Sequence, residues 1–160
     1  MTAILEALRD ALGYPHMFTL APNSMKLTAL DLDGDGRVGD RQAWARYAGE
    51  GAMLLLSKHP IELRFHLNDL LWKDMSNPQL PSDGFLSAAA VADLKVVTQG
   101  FWVVDVHPAG CASMTLVAFQ NQTPVFDGPE ELNGLRNRAQ LRLLSDAIDG
   151  SYGDFPAKRF

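Results

Sequence analysis

The feature that most constrains the fold of this chain is a change of residue pattern between residues 95 and 126. Short runs rich in β-branched and aromatic side chains follow one another there, separated by turn residues. This composition is typical of short strands joined by tight connections. We therefore predict an antiparallel hairpin or meander built from Lys95–Thr98, Phe101–Val106 and Met114–Gln120, with Thr123–Phe126 as a further candidate strand.

The segment before these strands is richer in helical patterns. Residues 3–12 place their leucines on one face of a helix, and residues 40–57 carry a weaker helical pattern that glycines interrupt. In residues 61–75 the spacing of the leucines favours a second packed helix, and a strand over residues 61–66 is the competing prediction. Residues 1–75 are therefore expected to be helix-rich.

A last helix is predicted over residues 129–149. Pro129 suits the first turn of a helix, and Gly150 follows the end of the apolar stripe. The order of helices, strands and a final helix indicates an α+β fold rather than an alternating parallel sheet. Residues 76–84, rich in proline, form the best loop candidate within one domain that spans residues 1–160.

The charge balance limits the classes of partner. Nineteen acidic residues against fourteen basic ones give a net charge of −5, which disfavours binding to nucleic acid. The basic residues of the last predicted helix, Arg136, Arg138 and Arg142, are expected to form a solvated face. A protein partner with a basic surface suits this chain better than an anionic polymer.

Neither export nor membrane insertion is indicated by the sequence. The N-terminal apolar residues are interrupted by charges, unlike the core of a secretory signal. The most apolar run, Gly51–Ser57, is far shorter than the roughly 20 residues that a membrane-spanning helix needs. The single cysteine, Cys111, excludes an intrachain disulfide, and together these features predict a cytoplasmic location.

The segment with the most chemical content is residues 31–42. Asp31, Asp33 and Asp35 alternate there, and Gly36 follows at a position where the chain must turn sharply. Calcium takes six to eight oxygen ligands, and a twelve-residue loop can surround the ion when carboxylates recur at every second position. The spacing therefore predicts a divalent-cation loop.

This segment resembles the calcium loop of EF-hand and dockerin proteins. The resemblance implies that Arg37 offers its carbonyl oxygen at loop position seven and that Val38 packs beneath the loop. At position twelve, where the family places a bidentate acid, this chain has Gln42, which removes a charge and should weaken binding. The implied ligand set is Asp31, Asp33, Asp35, Arg37 and Gln42, with Ca²⁺ as the ion.

Two other interpretations of the same residues stay open. The segment also resembles the first motif of haloacid-dehalogenase-type phosphatases, in which Asp31 would be the nucleophile and Asp33 the acid. Asp35, however, stands where that family has threonine, and an extra carboxylate repels a phosphate dianion. Alternatively the Asp-Gly pairs form only a turn, because both residue types accept left-handed backbone conformations.

Other reactive residues form no convincing set. Cys111, His107 and Asp105 are close in sequence, but catalytic groups usually come from distant segments, so we expect a structural thiol. The four histidines show no metal-ligand spacing, and no phosphate-binding glycine loop is present. The tryptophans, Trp44, Trp72 and Trp102, are most simply core residues.

These observations lead to an ordered set of functional expectations, with no catalytic residue assigned. The first is a non-enzymatic cytoplasmic interaction or regulatory protein with one calcium loop, in which the ion is structural or weakly regulatory. The second is a small acidic inhibitor or immunity-type protein of a bacterial or mobile-element system that neutralises a toxin or enzyme. A phosphatase of the haloacid-dehalogenase type is third.

Overall fold

The computed structural model describes residues 2–23, 30–38, 52–81, 84–125 and 127–153. In the described part, helices combine with two small antiparallel sheets, and the predicted α+β class is confirmed. The elements in chain order are α1 (Thr2–Leu12), β1 (His16–Phe18), β2 (Leu55–Ser57), β3 (Ile61–His66), a 3-10 turn (Trp72–Asp74), α2 (Ala88–Asp93), β4 (Phe101–Val106), β5 (Met114–Phe119) and α3 (Leu132–Ile148).

Strand β4 is the centre of the larger sheet, whose order is β3-β4-β5. It pairs with β5 in the predicted hairpin, from Phe101 opposite Phe119 to Val106 opposite Met114. On its other side it pairs antiparallel with β3, and the register shifts at an irregularity between Leu63 and Phe65. Strands β1 and β2 form a separate two-stranded sheet.

Both faces of β4 are covered, so all six of its residues are buried. Phe101 and Val103 belong to the main core, whereas Trp102 packs in a T-shaped arrangement with Phe18, with the two ring centroids 4.9 Å apart. A continuous apolar run is what a strand buried on both faces requires. Asp105 is its polar exception.

Helix α3 closes the core with the apolar stripe that the sequence predicts. Leu132 and Leu143 are fully buried, and Ala139 is 8% exposed. The helix begins at Leu132 rather than at Pro129. The carboxylate of Asp127 accepts hydrogen bonds from the backbone N–H groups of Asn133 and Gly134, both at 2.7 Å, and so satisfies donors of the first helical turn.

The helix favoured over residues 61–75 is wrong. The competing strand over residues 61–66 is found instead as β3, followed by the short 3-10 turn. Most of the residues of β3 are exposed, so pairing with β4 rather than burial of a leucine stripe holds this segment. The larger sheet therefore begins about thirty residues before the predicted strand-rich segment.

Other predicted elements differ in detail. The helix expected over residues 40–57 lies outside the described residues up to Gly51, and Leu55–Ser57 is strand β2 rather than helix. Lys95–Thr98 is not a strand, because Lys95 forms only an isolated bridge with Leu71. Residues 123–125 form no strand, and Phe126 lies outside the described residues.

Arg136 corrects the expectation of a solvated arginine face. Its side chain is in the core, 1% exposed, with the guanidinium 5.2 Å from the ring centre of Trp72. Burial lowers the pKa of Arg136 to about 10, so the group stays charged at neutral pH. Arg138 and Arg142 are exposed as predicted, and Trp72 and Trp102 are core residues as predicted, whereas Trp44 lies outside the described residues.

Candidate metal centre

The loop of residues 31–37 brings three carboxylates together. One oxygen from each of Asp31, Asp33 and Asp35 lies within 4.8 Å of the other two. Asp31 is half-buried, and the other two are exposed. In the described part of the chain this is the one such cluster of three or more histidine, cysteine or acidic side chains. The arrangement could hold a metal ion, as the spacing of the aspartates predicts.

The backbone of the loop turns around the side chain of Asp31. Its Oδ1 accepts a hydrogen bond from the N–H of Gly34 at 2.7 Å, and its Oδ2 accepts one from the N–H of Gly36 at 3.0 Å. Both glycines are left-handed, with φ of 80° and 86°. The sharp turn predicted at Gly36 is thus confirmed. Each carboxylate oxygen has two lone pairs, so a hydrogen-bonded oxygen can still ligate a cation.

The other two aspartates are oriented in the same way. Asp33 Oδ1 accepts the N–H of Asp35 at 3.1 Å, and Asp35 Oδ1 accepts the N–H of Arg37 at 2.8 Å. These short local bonds fix the direction of each carboxylate before any ion arrives. Ligation by the carbonyl oxygen of Arg37 stays a prediction.

A buried anchor attaches the loop to the core. Leu32 is 1% exposed and belongs to the core cluster. Ser87, which caps the N-terminus of α2, donates its hydroxyl to the carbonyl oxygen of Asp31 at 2.8 Å and its N–H to that of Leu32 at 2.6 Å. Val38 is 73% exposed, so the expectation that it packs beneath the loop is wrong, and Leu32 has that role.

The second half of the predicted ligand loop is outside the described residues. Gly39, Asp40 and Gln42 fall there, together with the helix expected to leave the loop. The three described carboxylates can supply three of the six to eight oxygens that calcium takes. Gln42 as the ligand at position twelve stays a prediction.

Asp105 and His107, which lie close to Cys111 in the sequence, have polar partners other than its thiol. Asp105 accepts hydrogen bonds from Arg64 Nε at 2.5 Å and from the Thr115 hydroxyl at 2.6 Å, so Arg64 compensates the charge of this buried carboxylate. Cys111 is exposed and forms no hydrogen bond with His107. The thiol is thus more exposed than the structural role expected for it implies.

His107 instead connects two residues that the sequence analysis did not single out. Its Nδ1 lies 2.7 Å from the Ser113 hydroxyl oxygen, and its Nε2 lies 3.3 Å from a carboxylate oxygen of Glu62. The side chains of His107 and Glu62 are 38% and 73% exposed, so water can compete for both contacts. This chain of polar contacts joins β3 to the β4–β5 connection.

Ser87, which attaches the loop of residues 31–37 to α2, is a further residue that the sequence did not single out. A serine directly before an alanine-rich stretch is a signal for a helix start, because its oxygen accepts an N–H of the first turn. Here Ser87 Oγ accepts the N–H of Ala90 at 3.1 Å. That signal would have located α2.

Comparison of this chain with known protein families, with curated proteins and with solved structures finds no match. Among the described residues no helix is both long and apolar enough to span a membrane. The protein partner with a basic surface and the cytoplasmic location stay predictions.

Proposed function

We propose that this chain is a non-enzymatic interaction domain in which residues 31–42 form a weak calcium-binding loop of the EF-hand or dockerin type. The observation that carries the proposal is the convergence of the Asp31, Asp33 and Asp35 carboxylates to within 4.8 Å. The ion would be structural or weakly regulatory: it would fix the loop and its attachment to α2.

Electrostatics supports a cation at this place. Two unit charges at the separation found here repel by about 0.9 kcal/mol even in bulk water, and by more near a protein surface. Three carboxylates form three such pairs. A divalent cation attracts all three carboxylates, and these attractions outweigh the repulsions between them, so its binding energy is also folding energy for the loop.

The hydrogen bonds between the loop and Ser87 would couple ion binding to the stability of α2. The side chain of Asp31 belongs to the carboxylate cluster, and its carbonyl oxygen accepts a hydrogen bond from the Ser87 hydroxyl. An ion that orders Asp31 therefore also orders the N-terminus of α2, where Ala90 is completely buried. Because the loop has only three described carboxylates and Gln42 in place of an acid, we expect a dissociation constant on the order of 1 mM.

Calcium titration of the metal-stripped protein tests the proposal. With a dissociation constant of 1 mM, calcium at ten times that concentration stabilises the fold by about 1.4 kcal/mol, which raises Tm by about 3–6 °C. Calorimetry should show saturable heat, and amide NMR signals of residues 31–37 and of Ser87 should shift together. Magnesium should bind more weakly, because it demands octahedral geometry and dehydrates reluctantly.

A matched pair of variants provides the control. Asp33→Asn keeps the size of the side chain and removes one ligand charge, so the calcium-induced rise in Tm should fall to near zero. Asp93→Asn removes an exposed charge at the end of α2, far from the loop in sequence, and should leave the rise unchanged. Absence of heat and of any Tm change at 10 mM calcium would contradict the proposal, as would equal responses of the two variants.

A further inference from the structure

A pocket lies between α3 and the segment that follows the 3-10 turn. Its volume is about 130 Å³. Its lining residues are Met75, Asn77, Pro78, Gln79, Arg138, Ala139 and Arg142. None of them belongs to the loop of residues 31–42, so this pocket is independent of the proposed calcium site.

The base of the pocket is apolar and belongs to the hydrophobic core. Met75 is 5% exposed and Ala139 is 8% exposed, and both belong to the hydrophobic core. An engineered protein cavity of about 150 Å³ holds benzene, so a pocket of this size can take an apolar group of about one ring. The walls around that base are polar.

Two arginines stand at the rim, one turn apart on the same face of α3. The guanidinium of Arg138 makes neither a hydrogen bond nor an ion pair with any described residue. Arg142 has only a long contact with Asp146, at 3.7 Å, and its side chain is 46% exposed. Since an exposed pair of this kind is worth little, an incoming anion can compete with Asp146.

The segment opposite the arginines offers uncommitted hydrogen-bonding groups. The side chains of Asn77 and Gln79 form no hydrogen bond to a described residue. Asn77 is held in the left-handed region, with φ of 57°, a conformation that asparagine accepts more readily than most residues. Donors from both walls and an apolar base form the usual pattern of a small-molecule site.

We propose that this pocket binds a small organic oxyanion, a carboxylate or a phosphate carried by one ring or a short branched chain. The guanidinium groups of Arg138 and Arg142 hold the anionic head, because the planar fork of arginine matches two oxygens of such a group. The apolar body lies against Met75 and Ala139. The site is complementary to an anion although the chain as a whole carries a charge of −5.

Binding of benzoate and phenyl phosphate, followed by amide NMR, tests this inference. We expect saturable shifts confined to residues 75–79 and 138–142, with dissociation constants on the order of 1 mM for a ligand of this size. Benzyl alcohol, which lacks the charge, should bind at least about tenfold more weakly. The tighter of the two anions identifies the head group, carboxylate or phosphate; inorganic phosphate should bind less tightly than phenyl phosphate.

Arg138→Gln is the decisive variant, because no described contact of the fold depends on its guanidinium. It should weaken binding of the tighter anion about tenfold. Arg142→Gln should do the same. Arg9→Gln, which removes an arginine of α1 whose guanidinium pairs with its neighbour Asp10, should change nothing.

Three results would overturn the inference. The first is an absence of saturable shifts up to about 20 mM of either anion, twentyfold above the expected dissociation constant. The second is unchanged binding by Arg138→Gln. The third is benzyl alcohol binding as tightly as benzoate, since the arginines would then be only a solvated face.

Discussion

Replacement of Ser87 by alanine removes two hydrogen bonds of its hydroxyl group, one to the loop of residues 31–37 and one that caps α2. The hydroxyl donates to the carbonyl oxygen of Asp31 at 2.8 Å and accepts the N–H of Ala90 at 3.1 Å. The backbone bond from the Ser87 N–H to the carbonyl oxygen of Leu32 remains in the variant. The perturbation therefore separates the side-chain contribution from the backbone contribution.

The expected loss follows from these two contacts. Losing a helix N-cap costs about 1 kcal/mol, and losing a neutral hydrogen bond to a partly buried carbonyl costs about 1 kcal/mol more. The free energy of unfolding should fall by about 2 kcal/mol, a change of about 30-fold in the folding equilibrium. For a chain of this size Tm should fall by about 4–8 °C.

Urea unfolding followed by tryptophan fluorescence measures this loss. Trp72 and Trp102 are 0% and 2% exposed, so both report the loss of the core. Ser87→Asp keeps an N-cap acceptor but loses the donor to Asp31, and it should lose about half as much stability as the alanine variant. Ser145→Ala, at an exposed position of α3, is the control and should change the free energy by less than about 0.5 kcal/mol.

Equal stabilities of Ser87→Ala and Ser145→Ala would contradict this prediction. Such a result would mean that Ser87 does not connect the loop to the core in solution. A loss of the full 2 kcal/mol in Ser87→Asp would place the whole effect in the bond to Asp31 and would contradict the assigned cap.

Further predictions concern the core, the loop and the exposed thiol. Arg136→Lys should cost about 2 kcal/mol in urea unfolding, because an ammonium is more strongly hydrated and cannot stack on Trp72 as a guanidinium does; an unchanged midpoint would show that the stacking adds nothing. Leu143→Ala should lower the free energy of unfolding by about 3 kcal/mol, since Leu143 is fully buried. A loss below about 1 kcal/mol would mean that neighbouring side chains fill the cavity left by the substitution. Gly36→Ala should cost about 1 kcal/mol from its left-handed backbone alone, because nothing lies within 4 Å of the added Cβ; a neutral result would show that this turn can change conformation. Cys111 should react with a thiol reagent in the folded protein as fast as in urea, and slow reaction reversed by urea would show that it is covered.

The hairpin and the last helix could be predicted from the sequence because their signals are local. Phe101–Val106 is a run of β-branched and aromatic residues, and β5 repeats the pattern after a turn. The stripe of α3 has the helical period over 17 residues. Local patterns of this kind indicate a secondary structure without reference to distant residues.

The sequence predicts strand β3 only as the alternative to a helix, because its structure depends on a partner distant in the chain. Leucines in residues 61–75 recur at helical spacing, yet Ile61 pairs with Val106 and His66 with Trp102. Pairing with a buried strand overrides a weak local preference. A mostly exposed strand also lacks the alternation that would have revealed it.

Arg136 shows the same limit for a single side chain. Its neighbours Arg138 and Arg142 are exposed, and charge alone suggests that all three lie in water. Buried Arg136 packs on the ring of Trp72, a residue that lies more than sixty positions earlier in the chain. The cluster of three carboxylates was easier to predict, since Asp31, Asp33 and Asp35 lie within a few residues of one another.

The topology of the larger sheet has a consequence for the order in which the chain folds. The β4–β5 hairpin closes only the connection from His107 to Ser113, whereas pairing of β3 with β4 must close residues 67–100. Closing a longer loop costs more chain entropy, and such pairings form more slowly. We therefore expect the hairpin to form before β3 adds to it, so that substitutions in β5 slow folding and those in β3 mainly speed unfolding.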